Sequence, residues 1–261
     1  YASTVATISQ RIRTLIKSYM ELTCDNLDGL PFKLHDFGVR GASSFDSAAI
    51  GGVGHLISFL GTDNVPALFH ARKYYHSRCA GFSIPAMEHS TVTSWGRAGE
   101  SAAYANNLNR HKGAGMIACV MDSYDQRSAL SDILGGSMKQ EIINSGVKFI
   151  ARLDSGDPVV EVIEALNRLD ACFGHTVNSK GFKVLNNVGI LQGDGVDEES
   201  IGAILSSLLK AGYSVDNIAF GMGGALLQHC DRDWGRWAMK CSEVTFEDGT
   251  TRGVAKDPIT D

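Results

Sequence analysis

Histidine, arginine and aspartate side chains follow several apolar segments of this sequence, and together they could bind a phosphorylated substrate. His89 lies in the turn after residues 82–85, a predicted short buried strand, and Ser90 could N-cap a helix that begins at Thr91. A histidine beside the free N–H groups of a helix N-terminus suits an anion, because the helix dipole favours negative charge there. A capped turn in any α/β protein would give the same short pattern, so this turn alone does not identify a site.

Three arginines could supply the positive charge. Arg40 and Arg152 lie near the ends of predicted strands, and Arg232 lies further along the chain. The planar guanidinium makes charge-assisted bonds to phosphate that are roughly twice as strong as neutral ones, whereas an isolated arginine usually forms a surface salt bridge worth about 0–1 kcal/mol. The glycine-rich run 221–224 favours the phosphate interpretation, because backbone N–H groups there can close on an anion.

Aspartates occur in pairs, three residues apart, after predicted strands: Asp122 and Asp125, Asp154 and Asp157, Asp194 and Asp197. The first of each pair stands closest to its strand and is the better candidate for binding a hydroxyl group or Mg²⁺. The sequence contains no H-E-x-x-H, P-loop or G-x-S-x-G motif, so zinc hydrolysis, Walker-type ATP hydrolysis and serine esterase chemistry receive no support. With the flat ring of Phe37, these groups predict a site for a phosphorylated sugar beside a planar base.

The composition is that of one globular domain, and we assign residues 1–261 to a single catalytic unit: 261 residues are 44% hydrophobic and 20% charged. A net charge of -5 and a pI near 5.9 argue against nucleic acid or a membrane surface as partner. Six scattered cysteines without a C-x-x-C pair, and no signal peptide or apolar run of the roughly 18 residues that span a bilayer, predict free thiols in the cytoplasm. Because the chain opens at Tyr1 in helical sequence, we expect a piece of a longer protein.

Strands and helices are predicted to alternate for about eight cycles, which indicates an α/β fold with a parallel sheet, most simply a (β/α)8-type barrel; an open doubly wound sheet is the alternative. The predicted strands are 32–36, 65–69, 82–85, 116–121, 148–153, 188–191, 217–220 and 238–246, and the predicted helices include 4–22, 43–60, 90–108 and 126–144. Gly51, Gly52 and Gly54 fall inside a helix, which favours close helix packing over a dinucleotide loop. In a barrel the strand ends share one rim, so the polar residues that follow them should converge.

Several motifs, in order along the whole chain, resemble those of the nicotinamide phosphoribosyltransferases: Lys33-Leu34-His35-Asp36-Phe37-Gly38, Gly61-Thr62-Asp63, Glu88-His89-Ser90-Thr91, Asp122-Ser123-Tyr124-Asp125, Asp154-Ser155-Gly156, Gln192-Gly193-Asp194-Gly195-Val196-Asp197 and Lys256-Asp257-Pro258. The resemblance implies the barrel of the type II phosphoribosyltransferases. It implies that nicotinamide and 5-phosphoribosyl 1-pyrophosphate (PRPP) give nicotinamide mononucleotide and pyrophosphate, with Mg²⁺. Such a transfer needs leaving-group neutralisation and positioning but no protein nucleophile.

The resemblance also implies residue roles. Pyrophosphate would be held by Arg40, His89 and Arg152, and ATP would stimulate turnover by phosphorylating His89. Phe37 would stack on the pyridine ring, and Asp63 would accept a hydrogen bond from its carboxamide. The catalytic residues would be His89, Arg152 and Asp154, and the nucleotide site would comprise Phe37, Asp63, Arg152, Leu153, Asp154 on the ribose hydroxyls, and Gly193, Asp194, Gly224 and Arg232 towards the ribose 5-phosphate.

The chain departs from the family pattern at Val39, Ala118, Met222 and Ala225, which affects the polarity of the pocket more than the reaction class. Relatives are implied to be homodimers that share the active site. Three alternatives stay open: a nicotinate phosphoribosyltransferase, a non-catalytic sugar-phosphate-binding barrel and, with less support, a barrel aldolase. Asp63 argues against the first, because a carboxylate accepts from an amide but repels nicotinate.

Overall fold

The centre of the fold is a curled parallel β-sheet of seven strands, in a computed structural model that describes residues 1–255. The strands, in their order across the sheet, are β2 (Gly61–Thr62), β1 (Leu34–Asp36), β9 (Ile218–Met222), β8 (Val188–Gln192), β5 (Lys148–Leu153), β4 (Met116–Val120) and β3 (Ala86–Met87). All neighbouring pairs are parallel, with registers such as Asp36 beside Met222 and Leu153 beside Gln192. The strand ends therefore lie along one edge of the sheet.

A short segment links the two edges of this sheet. Phe82 forms a parallel bridge with Gly61 next to β2, its carbonyl accepts from the Thr62 N–H at 2.9 Å, and four residues later the same segment becomes β3 and pairs with β4. The curl therefore brings the two edge strands, β2 and β3, near one another. The described residues supply seven strands to the sheet, one fewer than the predicted (β/α)8 barrel requires.

The helices cover the sheet and close the core. The longer ones are α1 (Ala2–Thr23), α2 (Phe45–Leu56), α3 (Val65–Tyr75), α5 (Glu100–Arg110), α8 (Pro158–Phe173) and α9 (Glu198–Ala211), and the shorter ones are α4 (His89–Thr93), α6 (Gln126–Ser128), α7 (Lys139–Ser145), α10 (Gly224–Leu227) and α11 (Arg232–Gly235). A π-helix, Ala129–Ser137, joins α6 to α7. Apolar faces such as Ile8, Ile12 and Ile16 of α1 are buried in one continuous core. No helix within residues 1–255 has both the length and the apolarity to cross a bilayer.

Two antiparallel hairpins lie outside the main sheet. β6 (His175–Val177) pairs with β7 (Lys183–Leu185), and β10 (Glu243–Thr245) pairs with β11 (Thr251–Gly253) around a turn at residues 247–249. The prediction of a last barrel strand over 238–246 is therefore wrong. Only Glu243–Thr245 of this segment forms a strand, which is exposed and pairs with β11 instead of joining the parallel sheet.

The parallel α/β class is confirmed, and several further local predictions are wrong. The short buried strand predicted over 82–85 is an isolated bridge at Phe82, whose side chain is exposed. The helix predicted over 90–108 is divided into α4 and α5. The strand predicted over 65–69 is the start of α3, because Asn64 caps that helix and a proline occupies its first turn. Glu88, not Ser90, is the N-cap of α4, which begins at His89 itself. The motif Lys256-Asp257-Pro258 lies outside the described residues.

Candidate functional site

The strand ends enclose a cavity of about 260 Å³, and most of the predicted site residues meet there. Its lining includes Phe37, Arg40, Asp63, Arg152, Gly193 and Gly224. These residues come from five separate segments, at or after the ends of β1, β2, β5, β8 and β9, and the parallel sheet brings them together at its carboxyl edge. Val39, one of the departures from the family pattern, lies in the same wall, whereas Ala118 is buried within β4.

A cation and an aromatic ring face one another at this cavity. The Arg152 guanidinium lies over the Phe37 ring, 5.4 Å from its centroid. The backbone of Phe37 is held by its N–H, which donates to the Met222 carbonyl at 3.0 Å, and its ring packs so closely on Gly221 that a Cβ there would stand 2.0 Å from a ring carbon. The arrangement places a cation that could bind phosphate beside an aromatic ring.

Asp154 holds Arg152 in place with both carboxylate oxygens. The Nη2 atom of Arg152 donates to Oδ1 at 2.9 Å and to Oδ2 at 3.0 Å. Gly193 permits this pair, because a Cβ there would approach Asp154 Oδ1 to 2.6 Å and Arg152 Nε to 2.9 Å. The Gly193 N–H donates to the Leu153 carbonyl at 2.8 Å, which ties the turn after β8 to the end of β5. The buried Leu153 thus contributes its backbone to the site.

His89 stands between two carboxylates at the start of α4. Its Nε2 lies 3.0 Å from Asp122 Oδ1, and its Nδ1 lies 3.8 Å from Asp154 Oδ2. The imidazole is 42% exposed while both carboxylates are largely buried, so the ring is accessible and its partners are fixed. If Nε2 carries the proton donated to Asp122, the free lone pair is on Nδ1.

The aspartate pairs divide into two kinds of residue in the structure. Asp125, Asp157 and Asp197, the second members, are N-caps whose side chains accept backbone N–H groups of the following helices. The first members remain for chemistry: Asp122 and Asp154 contact His89 and Arg152, and Asp194 is exposed next to Gly193. The place of Asp122 after β4 makes it a candidate for binding a hydroxyl group or Mg²⁺, but its contact with His89 could not be predicted, since the two residues are 33 apart in sequence.

Asp63 is held at the cavity by a neighbouring strand segment. Its carboxylate accepts a hydrogen bond from the Ser83 hydroxyl at 2.5 Å, and its backbone N–H donates to the Asp36 carbonyl at 3.0 Å. Gln228 closes the other side, where its Nε2 donates to the Gly38 carbonyl at 2.9 Å. Neither Ser83 nor Gln228 carried a sequence signal, because each acts through a partner that is distant along the chain.

Arg232 is not brought to the cavity. It begins the short helix α11, its side chain is 73% exposed, and it contacts the adjacent Asp233. The other predicted residues lie at or next to the cavity, whereas this arginine would have to move to reach a ligand there.

The carboxylates near the cavity could supply only part of a Mg²⁺ coordination shell. Within residues 1–255 no group of three or more His, Cys, Asp or Glu side chains could enclose a metal ion. Mg²⁺ in phosphate-transfer sites usually takes one or two carboxylates and completes its shell with substrate phosphates and water. Asp122 and Asp154, on either side of His89, fit that requirement.

Comparisons with known proteins agree with the motifs. A sequence profile of the nicotinate phosphoribosyltransferase (NAPRTase) family matches residues 32–261. A nicotinamide phosphoribosyltransferase from Xanthomonas campestris pv. campestris (strain 8004) is 52% identical over 263 residues, covering 100% of this chain and 56% of that protein. One from Acinetobacter baylyi (strain ATCC 33305 / BD413 / ADP1) is 32% identical over 281 residues, covering 100% and 55%. The chain thus spans little more than half the length of these relatives.

Solved structures share the fold at low sequence identity. Nicotinate-nucleotide pyrophosphorylase from Pyrococcus furiosus has a TM-score of 0.57 at 19% identity, with 87% of this chain and 47% of that chain covered. Nicotinate phosphoribosyltransferase from Porphyromonas gingivalis has a TM-score of 0.53 at 16% identity, with 87% and 56% covered. At these identities the likeness concerns the fold alone.

Proposed function

The chain belongs to the nicotinate phosphoribosyltransferase (NAPRTase) family, and from this premise we propose that its protein transfers the phosphoribosyl group of PRPP to nicotinamide in NAD biosynthesis. The products are nicotinamide mononucleotide and pyrophosphate. The observation that carries this proposal is the Arg152–Phe37 pair, which offers a phosphate-binding cation and a base-stacking ring at one cavity. The 52% identity to a protein named nicotinamide phosphoribosyltransferase supports the same substrate.

In the proposed reaction the bond between the anomeric carbon and the pyrophosphate oxygen breaks, and the pyridine nitrogen lone pair forms the new C–N bond. Arg40, His89 and Arg152 bind the pyrophosphate and stabilise the charge that it gains as it leaves. Asp154 orients Arg152 and accepts from the ribose hydroxyls. Gly193, Asp194 and Gly224 bind the ribose 5-phosphate end through the turns after β8 and β9, and Arg232 joins them if α11 moves.

The base site is built from Phe37 and Asp63. The ring stacks on the pyridine, and the carboxylate accepts the carboxamide N–H, while nicotinate would place a second negative charge there. Nicotinate phosphoribosyltransferase is the second candidate, because the family profile and the structural relatives carry that name. The exposed carboxylate of Asp63 at the cavity is the observation that favours nicotinamide.

Two cofactors belong to the proposal. Mg²⁺, held by Asp122 or Asp154 together with the phosphates, would neutralise the leaving pyrophosphate. ATP would stimulate turnover: an imidazole nitrogen of His89 takes its γ-phosphoryl group and ADP leaves. The accessible ring and its fixed Asp122 partner support a phosphorylated histidine.

The remaining features are proposed at the level of the whole protein. We place the chain in one catalytic domain of a type II phosphoribosyltransferase barrel, acting as a homodimer whose partner completes the base site. The curled sheet and its bridged edges support a barrel. A cytoplasmic location accords with six free cysteines.

The test is pyrophosphate release by the full-length protein with Mg²⁺ and PRPP, with nicotinamide and nicotinate offered separately. Release with nicotinamide alone is the expected result. Release with nicotinate alone would keep the reaction class and overturn the role of Asp63. No release with either base, while PRPP still raises the melting temperature, would leave a sugar-phosphate-binding protein.

A further inference from the structure

Asp36, the last residue of β1, is a buried carboxylate directly beneath the cavity. It is 0% exposed, and its Oδ1 accepts from the Gly38 N–H at 2.8 Å, just after the stacking residue Phe37. Its Oδ2 accepts from Asn64 Nδ2, also at 2.8 Å. No lysine, arginine or histidine among residues 1–255 forms an ion pair with it, and burial raises its pKa. Two directional hydrogen bonds are thus its main stabilising contacts.

Asn64, on the neighbouring loop, is equally buried and fully hydrogen-bonded. Its Nδ2 donates to Asp36 and, at 2.8 Å, to the Ala48 carbonyl of α2, while its Oδ1 accepts the Ala67 N–H as the N-cap of α3. Its neighbour Asp63 is fixed by the same pair of loops, because the Asp63 N–H donates to the Asp36 carbonyl at 3.0 Å. The loop that carries the base-reading carboxylate is therefore joined to the loop that carries the ring.

We propose that Asp36 and Asn64 are positioning residues that set the distance between the Phe37 ring and the Asp63 carboxylate, and thereby determine the choice of base. The inference rests on the function proposed above and adds to it residues that do not touch the substrate. Phe37 and Asp63 are the immediate chain neighbours of Asp36 and Asn64, so a shift in the buried bond moves both. A displacement of about 1 Å in such a site can cost on the order of a hundredfold in rate.

A merely structural role would give a different result. A buried pair that only stabilises the fold lowers the melting temperature and the amount of active protein, but leaves each KM unchanged. A pair that positions the base site raises the KM for nicotinamide much more than the KM for PRPP, because the proposed phosphate contacts Arg152 and Gly193 lie at the ends of β5 and β8, and only Arg40 lies on the loop after β1. The ratio of the two KM changes separates the two roles.

The experiment measures steady-state kinetics of full-length Asp36→Asn. The amide would present a donor to either Gly38 or Asn64, both of which also donate. We expect the KM for nicotinamide to rise about tenfold, the preference for nicotinamide over nicotinate to fall, and the KM for PRPP to stay within about twofold.

The matched control is Asn217→Ala. Asn217 is 1% exposed, and its side chain makes three hydrogen bonds, to Lys183, Ser214 and Leu185. It lies at the amino end of β9, away from the carboxyl ends of the strands. This variant should lower the melting temperature and leave both KM values unchanged.

The double variant Asp36→Asn with Asn64→Asp reverses donor and acceptor, and it should recover part of the nicotinamide KM while losing the bond to Ala48. Equal changes in both KM values, or no recovery in the double variant, would overturn the inference and leave the proposed function standing. A wild-type protein that releases no pyrophosphate with nicotinamide would overturn both.

Discussion

At the scale of single residues, the proposed base site depends on a glycine, because no side chain fits beneath the Phe37 ring. Gly221 sits under the Phe37 ring, and a Cβ there would lie 2.0 Å from Cε2 and 2.3 Å from Cδ2. Both atoms belong to the ring over which the Arg152 guanidinium lies, and the backbone N–H of Phe37 is bonded to the Met222 carbonyl, so a Cβ at Gly221 would push the ring out of this position. Gly221→Ala should therefore lower kcat/KM for nicotinamide by at least about tenfold.

Gly113→Ala is the control for that prediction, because a Cβ at Gly113 meets no atom within 4 Å. It should keep the wild-type kcat/KM in the same pyrophosphate-release assay. Unchanged kinetics in Gly221→Ala would mean that the Phe37 ring does not contact the base.

The sequence offered candidates for contact with the ligand more readily than candidates for positioning residues. Phe37, Asp63, Arg152 and His89 became candidates through the family motifs that they resemble and through their places after predicted strands. Asp36 and Asn64 could not be given roles, since their bond spans 28 residues and depends on burial that only the folded sheet creates. For Arg232 the resemblance implied a role towards the ribose 5-phosphate, but it gave no information on where α11 lies.

At the scale of elements, a long and continuously apolar strand was predicted more accurately than a short one. The buried strand β5 was predicted with both boundaries as observed, whereas the two-residue β2 was missed and the strand expected over 65–69 is helical. Short strands carry too few residues for a hydrophobic period, and the Asn64 cap with its following proline was the stronger signal. The glycines of α2 were interpreted correctly, since each is buried or partly buried against neighbouring groups.

Two glycines in helices should respond to alanine in opposite ways. A Cβ at Gly52 of α2 would lie 2.4 Å from Asn64 Nδ2 and 2.5 Å from Ala67 Cβ, whereas one at Gly202 of α9 would meet only Leu15 Cδ2 at 3.7 Å. Gly52→Ala should lower the free energy of unfolding by about 1–3 kcal/mol. Gly202→Ala should raise it by about 0.5–1 kcal/mol, because alanine favours the helix.

Urea denaturation of both glycine variants at neutral pH measures these changes, and each variant serves as the control for the other. Gly52→Ala should also weaken the selection of nicotinamide, since its Cβ would displace Asn64. Equal signs for the two stability changes would contradict the packing described for α2.

At the scale of the whole molecule, a buried histidine links α1, α2 and β2 and makes folding sensitive to acid. His55 is 0% exposed, with Nδ1 accepting from the Ser9 hydroxyl and Nε2 donating to the Gly61 carbonyl, both at 3.0 Å. Burial lowers its pKa from 6.5 to about 4, so the unfolded chain takes up a proton first. The contribution of His55 to the free energy of unfolding should be fully present above pH 6.5 and decline as the pH falls towards 4, by about 2 kcal/mol between pH 7 and pH 5.

Urea denaturation at those two pH values should show a smaller decline in His55→Gln than in the wild type or in His76→Asn, which changes an exposed histidine. The same decline in all three proteins would assign the acid sensitivity to other groups.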